Sequence, residues 1–429
     1  MLTSVSCVDR YLGESEVREA LTGALDGDRF EGKKLLVVIP DGTRTAPIPM
    51  MYRLLHEVVG RRVAKLDFLV ALGTHPPMSD EALGRLVGTP VVNGSTGASM
   101  VFNHRWDLDE TFVTVGTITA GEIRDASGGR MDLDVPVRLN RLVGDPRGER
   151  PYDALIVCGP VFPHEVAGFS GGNKYFVPGV AGREVIDVTH WLGALLTSKE
   201  IIGVADTPMR RLIDRAASFI PTATSLIAMV MHGDDLRGLF VGEMDEAWRR
   251  ATELSAELDI VWVDRPYRRV LSVVPRMYED LWTGAKGMYK LEPAVADGGE
   301  VVIFAPHITE VSYVHGAIID EIGYHVRDYF TAQWDRFSRF PWGIVAHSTH
   351  LRGAGTFEDG VERARIDVTL ATGIPRERCE RIGLGYLDPS SIDVDDWQGR
   401  EDEGILLVRR AGEQLFRVRP EKMSGNYRR

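Results

Sequence analysis

A chain of 429 residues with a formal charge of −12 is too long for one hydrophobic core and too acidic to bind nucleic acid through a general basic surface. Its hydrophobic content of 44% is that of an ordinary folded protein, and no stretch approaches the roughly 20 apolar residues of a membrane span. The three cysteines (Cys7, Cys158, Cys379) form no CxxC pair, and the polar start MLTSVSCVDR lacks a basic-then-apolar leader, so the expectation is a cytoplasmic protein with no disulfide framework, no cysteine zinc site and no membrane partner.

In chain order, KKLLVVIPDGTR (33–44) predicts a buried strand feeding a polar loop, followed by a helix over 48–60 with a glycine stop. AKLDFLVALGTHPPMSDEALGRLVG (64–88) repeats this grammar, with Ser79 or Asp80 as helix cap. YDALIVCGPVFPHE (152–165) and TSLIAMVMHGDD (224–235) predict two more strands. The second half restarts at YRRVLSVVPRMYEDLW (267–282), and the segments 298–310 and 340–353 predict further strand-and-turn units. The expectation is an α/β protein of two α/β domains, 1–265 and 266–429, with largely parallel sheets and an active site in the interdomain cleft, since ligands of such sheets sit beyond the carboxyl ends of the strands. The tail at 423–429 is expected to fray.

Three groups of residues can carry chemistry. In DGTR, Asp41, Thr43 and Arg44 put a carboxylate, a hydroxyl and a guanidinium on one loop, suited to gripping a carboxylate or phosphate; the same spacing suits a solvated turn. Of the 11 histidines, His75, His104, His164 and His190 fall in loops or at segment ends, which points to proton transfer or metal binding, although no HExxH is present. In HEVAGFSGGNKYFVPG, Ser170, Gly171 and Gly172 can offer backbone amides to a phosphate, and Lys174 follows directly; a plain glycine-rich connection fits equally well. Lys286 and Lys290, in GAKGMYK, face either a cleft or solvent.

Together these pieces resemble the lactate racemase family, the nickel-pincer nucleotide enzymes. The matching residues are DGTR (41–44), GTHPPMSDEAL (73–83), NHRWD (103–107), HEVAGFSGGNKYFVPGVAG (164–182), His190 and Lys286. The resemblance implies a racemase or epimerase inverting C2 of a 2-hydroxy acid through hydride transfer to a nickel-pincer nucleotide. It implies that Lys174 anchors that nucleotide, covalently through a thioamide where it is linked, with Asp41 in support, and that His190 is the metal ligand. His104 and His164 take the places of the catalytic histidines, and Arg44 and Lys286 those that hold the substrate carboxylate. The enzymes that build the cofactor are implied as partners. Trp282 and Thr283 stand where a Tyr-Gln pair is common, and His347, Ser348, His350 and Arg352 add polar groups, so a substrate larger than lactate, such as a sugar acid, is expected beside Thr283. The alternatives are a nicotinamide-type hydroxyacid oxidoreductase, for which no GxGxxG follows a strand, and a ligand-binding protein without catalysis.

Overall fold

A computed structural model describes residues 2–144 and 151–419; the tail at 423–429 lies outside the described residues. The chain divides into two compact units, Met1–Thr189 with Ala205–Leu258, and His190–Val204 with Asp259–Arg429. Both are α/β and both are built on a largely parallel sheet. No helix among the described residues is long and apolar enough to cross a membrane.

The first unit holds a seven-stranded sheet. Its strands are β1 (Thr3–Ser6), β2 (Lys34–Ile39), β3 (Lys65–Val70), β4 (Val101–Asn103), β5 (Ala154–Pro160), β6 (Ala223–His232) and β7 (Asp235–Gly242). They lie in the order β1-β7-β6-β5-β2-β3-β4, parallel from β6 to β4 and antiparallel at the β7 and β1 edge. The central strands are near-continuous apolar runs because helices cover both faces: Leu35 to Val38 in β2 and Leu155 to Cys158 in β5 are all 0% exposed. On one face Leu35, Val37 and Ile39 pack with Val17, Leu21 and Leu25 of the helix Glu14–Leu25 and with Leu54 and Leu55 of the helix Ile48–Val58. Ser79 caps the helix Asp80–Val87 by accepting from the Ala82 amide at 3.2 Å, and Gly88 ends it in the left-handed region at φ 75°.

The strand order fixes where a ligand can sit. From β2 the chain steps through β3 to β4, then crosses back to the other side of β2 for β5 and β6. The loops after β2 and β5 therefore leave in opposite directions and open a crevice at the carboxyl end of the sheet.

The second unit has a five-stranded sheet of β8 (Tyr267–Val273), β9 (Val295–Ala305), β10 (Asp367–Thr372), β11 (Gly385–Tyr386) and β12 (Ile405–Val408). Their order is β11-β10-β9-β8-β12 and every pair is parallel, so the same reversal falls between β8 and β12. One expectation fails here: 340–353 is no strand but the helix Trp342–Arg352, with every residue from Ile344 to Leu351 buried. A short run buried all round has no period to distinguish helix from strand.

Candidate active site

The loop after β2 is organised by Asp41. This residue is 6% exposed and accepts from the Thr43 amide at 3.0 Å, the Thr43 hydroxyl at 2.6 Å and His75 Nδ1 at 2.5 Å. Burial alone would raise its carboxyl, but the His75 bond and charge, the Thr43 hydroxyl and the nearby Arg44 bring it down to about 2. An ionised Asp41 fixes the proton of a neutral His75 on Nδ1 and turns the Nε2 lone pair outward. His75 arrives from the loop after β3, which is pinned by Asn103 through both the amide and the carbonyl of Met78, each at 2.9 Å. Trp106 adds an indole bond to the His75 carbonyl at 2.8 Å. Arg44 lies 5.9 Å from the Phe162 ring centroid and 3.4 Å from the Thr43 hydroxyl, and among the described residues no carboxylate comes within salt-bridge distance of it. Its fork therefore remains available for an incoming carboxylate.

The loop after β5 returns as a short antiparallel pair, Pro163–His164 with Gly168–Phe169. His164 is 8% exposed; its Nδ1 accepts the Val166 amide at 3.1 Å, which puts the proton of a neutral ring on Nε2, and a Glu165 carboxylate oxygen lies 3.5 Å from the same Nδ1. Ser170 spends its hydroxyl on the backbone, donating to the Pro160 carbonyl at 3.1 Å and accepting from the Phe162 amide at 2.9 Å. Gly171 and Gly172 adopt φ of 79° and 58°, and a β-carbon at Gly172 would stand 2.9 Å from the Trp248 ring. These three residues shape the turn that delivers Lys174.

Lys174 sits in the helical turn Gly172–Tyr175, half-buried. Burial, with Arg44 and Arg210 nearby and Glu165 opposing them, lowers its amine to about 7. Near neutrality a large fraction is therefore the free amine, the nucleophilic form. Tyr175, next in the chain, lays its hydroxyl against Gly159 of β5.

In the second unit, Lys286 opens the helical turn Lys286–Tyr289, with its Nζ 4.9 Å from the Tyr278 ring centroid, at the reversal between β8 and β12. Thr283 commits its hydroxyl to Asp280 Oδ1 at 2.8 Å, as part of the Asp280 cap on the helical turn Leu281–Gly284. Trp282 stacks on His347 at 3.8 Å, and Ser348 donates to the Gly323 carbonyl at 2.6 Å, so His347 and Ser348 are built into the fold. His190 lies half-buried on the helix Arg183–Leu196.

The contacts thus bring Asp41, Arg44, Phe162, His164 and Lys174 to the crevice of the first unit. His104 directly follows β4 at the same carboxyl edge, with its backbone amide bonded to the Val70 carbonyl at 3.2 Å, and its ring is engaged by the fold. His104 is 0% exposed, accepts from Asn140 Nδ2 at 3.1 Å through Nδ1, and donates from Nε2 to the Ala181 carbonyl at 3.3 Å. Burial, only partly offset by the Ala181 bond and Asp107, lowers it to about 4, so it stays neutral with both ring nitrogens engaged. His75, to which the resemblance assigned no role, is joined to Asp41 of the loop after β2. Its signal in the sequence is Gly-Thr before and Pro-Pro after, at the end of a buried strand.

Both units are thus parallel α/β sheets with an order reversal, and solved structures share this two-unit class. A Thermotoga maritima protein of known crystal structure superposes with a TM-score of 0.84 at 31% identity, over 97% of this chain and 100% of that one. The lactate racemase apoprotein from Thermoanaerobacterium thermosaccharolyticum shares the fold with a TM-score of 0.72 at 19% identity, over 96% and 93%. Residues 11–203 match the family model described as the lactate racemase N-terminal domain. The lactate racemase of T. thermosaccharolyticum is 25% identical over 303 residues, 68% of this chain and 65% of that protein. The lactate racemase of Lactiplantibacillus plantarum is 25% identical over 317 residues, 71% of this chain and 69% of that protein. The match thus spans just under two thirds of the first relative's length. Residues 11–203 thus carry the lactate racemase N-terminal domain, and the relatives that extend the match beyond it are lactate racemases.

Proposed function

We propose that the protein is an isomerase, a racemase or epimerase that inverts C2 of a 2-hydroxy acid with a nickel-pincer nucleotide. The observation that carries this reading is the combination at one crevice of Arg44, uncommitted to any carboxylate among the described residues, the Asp41–His75 pair at 2.5 Å, and a Lys174 amine lowered to about 7.

The residues present fit the nucleotide. A neutral amine is what acylation-type attachment requires, and Lys174 is that amine. Among the described residues no three His, Cys, Asp or Glu side chains are grouped to hold a metal by themselves, so nickel at His190 would take its other donors from the nucleotide. When bound, the nucleotide supplies a ring that accepts and returns hydride at C2.

The protein's own groups do the rest. The C2–H of a 2-hydroxy acid is very weakly acidic beside an ionised carboxylate, so loss of hydride with loss of the hydroxyl proton is the accessible route to a planar ketone. Arg44 grips the carboxylate and keeps it fixed while the ketone turns, a task the resemblance also gives Lys286. His75, held by Asp41 with Nε2 as acceptor, takes the hydroxyl proton, and His164, in the doubly protonated form that Glu165 at 3.5 Å from its Nδ1 supports, gives one from Nε2; for the mirror substrate the charged and neutral rings exchange. We give His75 the proton-handling place that the resemblance gave His104, because His104 is fully buried with both nitrogens engaged. Within the substrate class a molecule larger than lactate, such as a sugar acid, is favoured: Thr283 is short and its hydroxyl is spent on Asp280. The enzymes that make the nucleotide are the partners this reading requires.

The test is co-expression with the pincer-nucleotide pathway, followed by intact mass, nickel content and turnover of single stereoisomers, for wild type and Lys174→Ala. A nickel-bearing adduct lost in the variant, with each stereoisomer converted to the other, is expected. Stoichiometric keto acid would instead mark a nicotinamide-type oxidoreductase. Folded protein with neither nickel nor adduct would refute the reading in favour of a ligand-binding protein.

A further inference from the structure

We propose that Arg210 is a positioning residue for Lys174: its guanidinium clamps the turn that carries the lysine and keeps a fixed positive charge beside the amine. The inference rests on the reading of Lys174 as the anchor of the nucleotide.

Arg210 enters from the helix Pro208–Ala217 and is 4% exposed. One guanidinium nitrogen donates to the Phe169 carbonyl at 2.5 Å and another to the Gly171 carbonyl at 3.3 Å. The group lies 4.0 Å from the Trp248 ring centroid, and the Trp248 indole donates to the Ser170 carbonyl at 2.8 Å. Asn173 is held in turn by Asp214 at 2.9 Å. Three successive carbonyls, 169 to 171, and the side chain just before Lys174 are therefore tied to two helices, Pro208–Ala217 and Met244–Asp259.

A clamp alone does not need a charge. Burying a guanidinium without a touching carboxylate is costly, and a neutral amide can satisfy a carbonyl. Among the described residues no carboxylate lies within salt-bridge distance of Arg210, and its Nε has no partner. Burial lowers Arg210 itself to about 10, with Asp214 and Asp245 opposing from a distance. Burial raises the carboxyl of Asp214, which Arg210, Asn173 and Arg249 pull back. The charged groups facing Lys174 are Arg44 and Arg210, which favour the neutral amine, and Glu165, which opposes them. A cation fixed at Arg210 thus does what a neutral clamp cannot: it disfavours a second positive charge at Lys174.

The test uses protein made without the nucleotide. Competitive labelling with acetic anhydride, read by mass spectrometry on the Lys174 peptide across pH, follows the free amine directly. Wild type is expected to titrate near 7. Arg210→Gln keeps a donor and loses the charge; its midpoint rises, and labelling below the midpoint falls roughly tenfold for every pH unit by which the midpoint moves. Arg210→Lys keeps the charge and stays within about twofold of wild type on that same scale. A Gln profile like wild type overturns the proposal, as do Gln and Lys profiles displaced alike. Should the Gln variant not fold, Arg210→Lys decides alone: a profile like wild type supports the proposal, and one displaced by about one pH unit or more overturns it. Absence of any adduct in loaded wild type would overturn the anchor reading while leaving this titration intact, so the two failures are distinguishable.

Discussion

Gly159 is the next-to-last residue of β5, and Tyr175 rests on it. A β-carbon there would fall on the Tyr175 hydroxyl, and even the ring's Cε2 would stand 2.8 Å away, where ordinary contact begins at 3.4 Å. Gly159→Ala therefore forces the ring to retreat, by at least 0.6 Å at Cε2 (3.4 − 2.8) and further at the hydroxyl. Overpacking of this kind costs about 1–3 kcal/mol. In a unit of this size each kcal/mol moves the melting temperature by roughly 2–4 °C, so a fall of about 2–12 °C is expected. Because Tyr175 is bonded to Lys174 through the chain, amine labelling of Lys174 should change with it. The control is Gly23→Ala, in the helix Glu14–Leu25, where a β-carbon meets no heavy atom within 4 Å. There the same substitution should stabilise by about 0.5–1 kcal/mol. Scanning calorimetry with labelling of both variants is the assay. If Gly159→Ala melts and labels like wild type, the contact between β5 and the Lys174 turn is not what the geometry says.

Two further substitutions separate roles at the crevice. His75→Gln should abolish interconversion of stereoisomers in loaded enzyme with little change in melting temperature, because the side chain is 47% exposed, whereas His104→Ala should lower stability by about 1–3 kcal/mol through its buried partners Asn140 and Ala181; equal melting temperatures would refute the division. Asp41→Asn tests the carboxylate by pH. A carboxyl that ordinarily titrates at 3.8 and is held at about 2 adds stability above the ordinary value and loses it as pH falls through the held one. The stability difference between wild type and variant should therefore shrink by about 2 kcal/mol between pH 6 and acid below the held value, at about 1.4 kcal/mol per pH unit, followed by urea unfolding; a difference that does not change with pH would refute the assignment.

Much of this was legible in the sequence because strand and loop chemistry is local. The apolar runs at 35–39, 66–70 and 154–158 are strands, and Asp41, His75 and His164 all fall at carboxyl ends, as the pattern requires. The segment 340–353 was illegible for an equally local reason: with eight successive residues buried, it has no exposed face to give a helical period. The strand order could not be read either, and it is the crossing from β4 back to β5 that puts the Asp41 loop and the Lys174 turn at one crevice. The internal tasks of Ser170 and Thr283 were hidden for another reason. A hydroxyl looks the same in a sequence whether it faces a ligand or a backbone group, and these two face Pro160 and Asp280.

The histidines show how far residue type falls short of chemical role. Three imidazoles, His75, His104 and His164, differ in what hydrogen-bonds Nδ1: a carboxylate, an asparagine amide and a backbone amide, the last with the Glu165 carboxylate 3.5 Å away. A carboxylate accepts, so the proton of neutral His75 sits on Nδ1 and Nε2 is a base. A backbone amide donates, so the proton of neutral His164 sits on Nε2, which is a donor. His104 has the same tautomer as His164 and gives that proton to the Ala181 carbonyl. A reaction that inverts a stereocentre through a planar ketone needs one neutral imidazole to accept a proton and one doubly protonated imidazole to give one, and the proposed function assigns these tasks to His75 and His164.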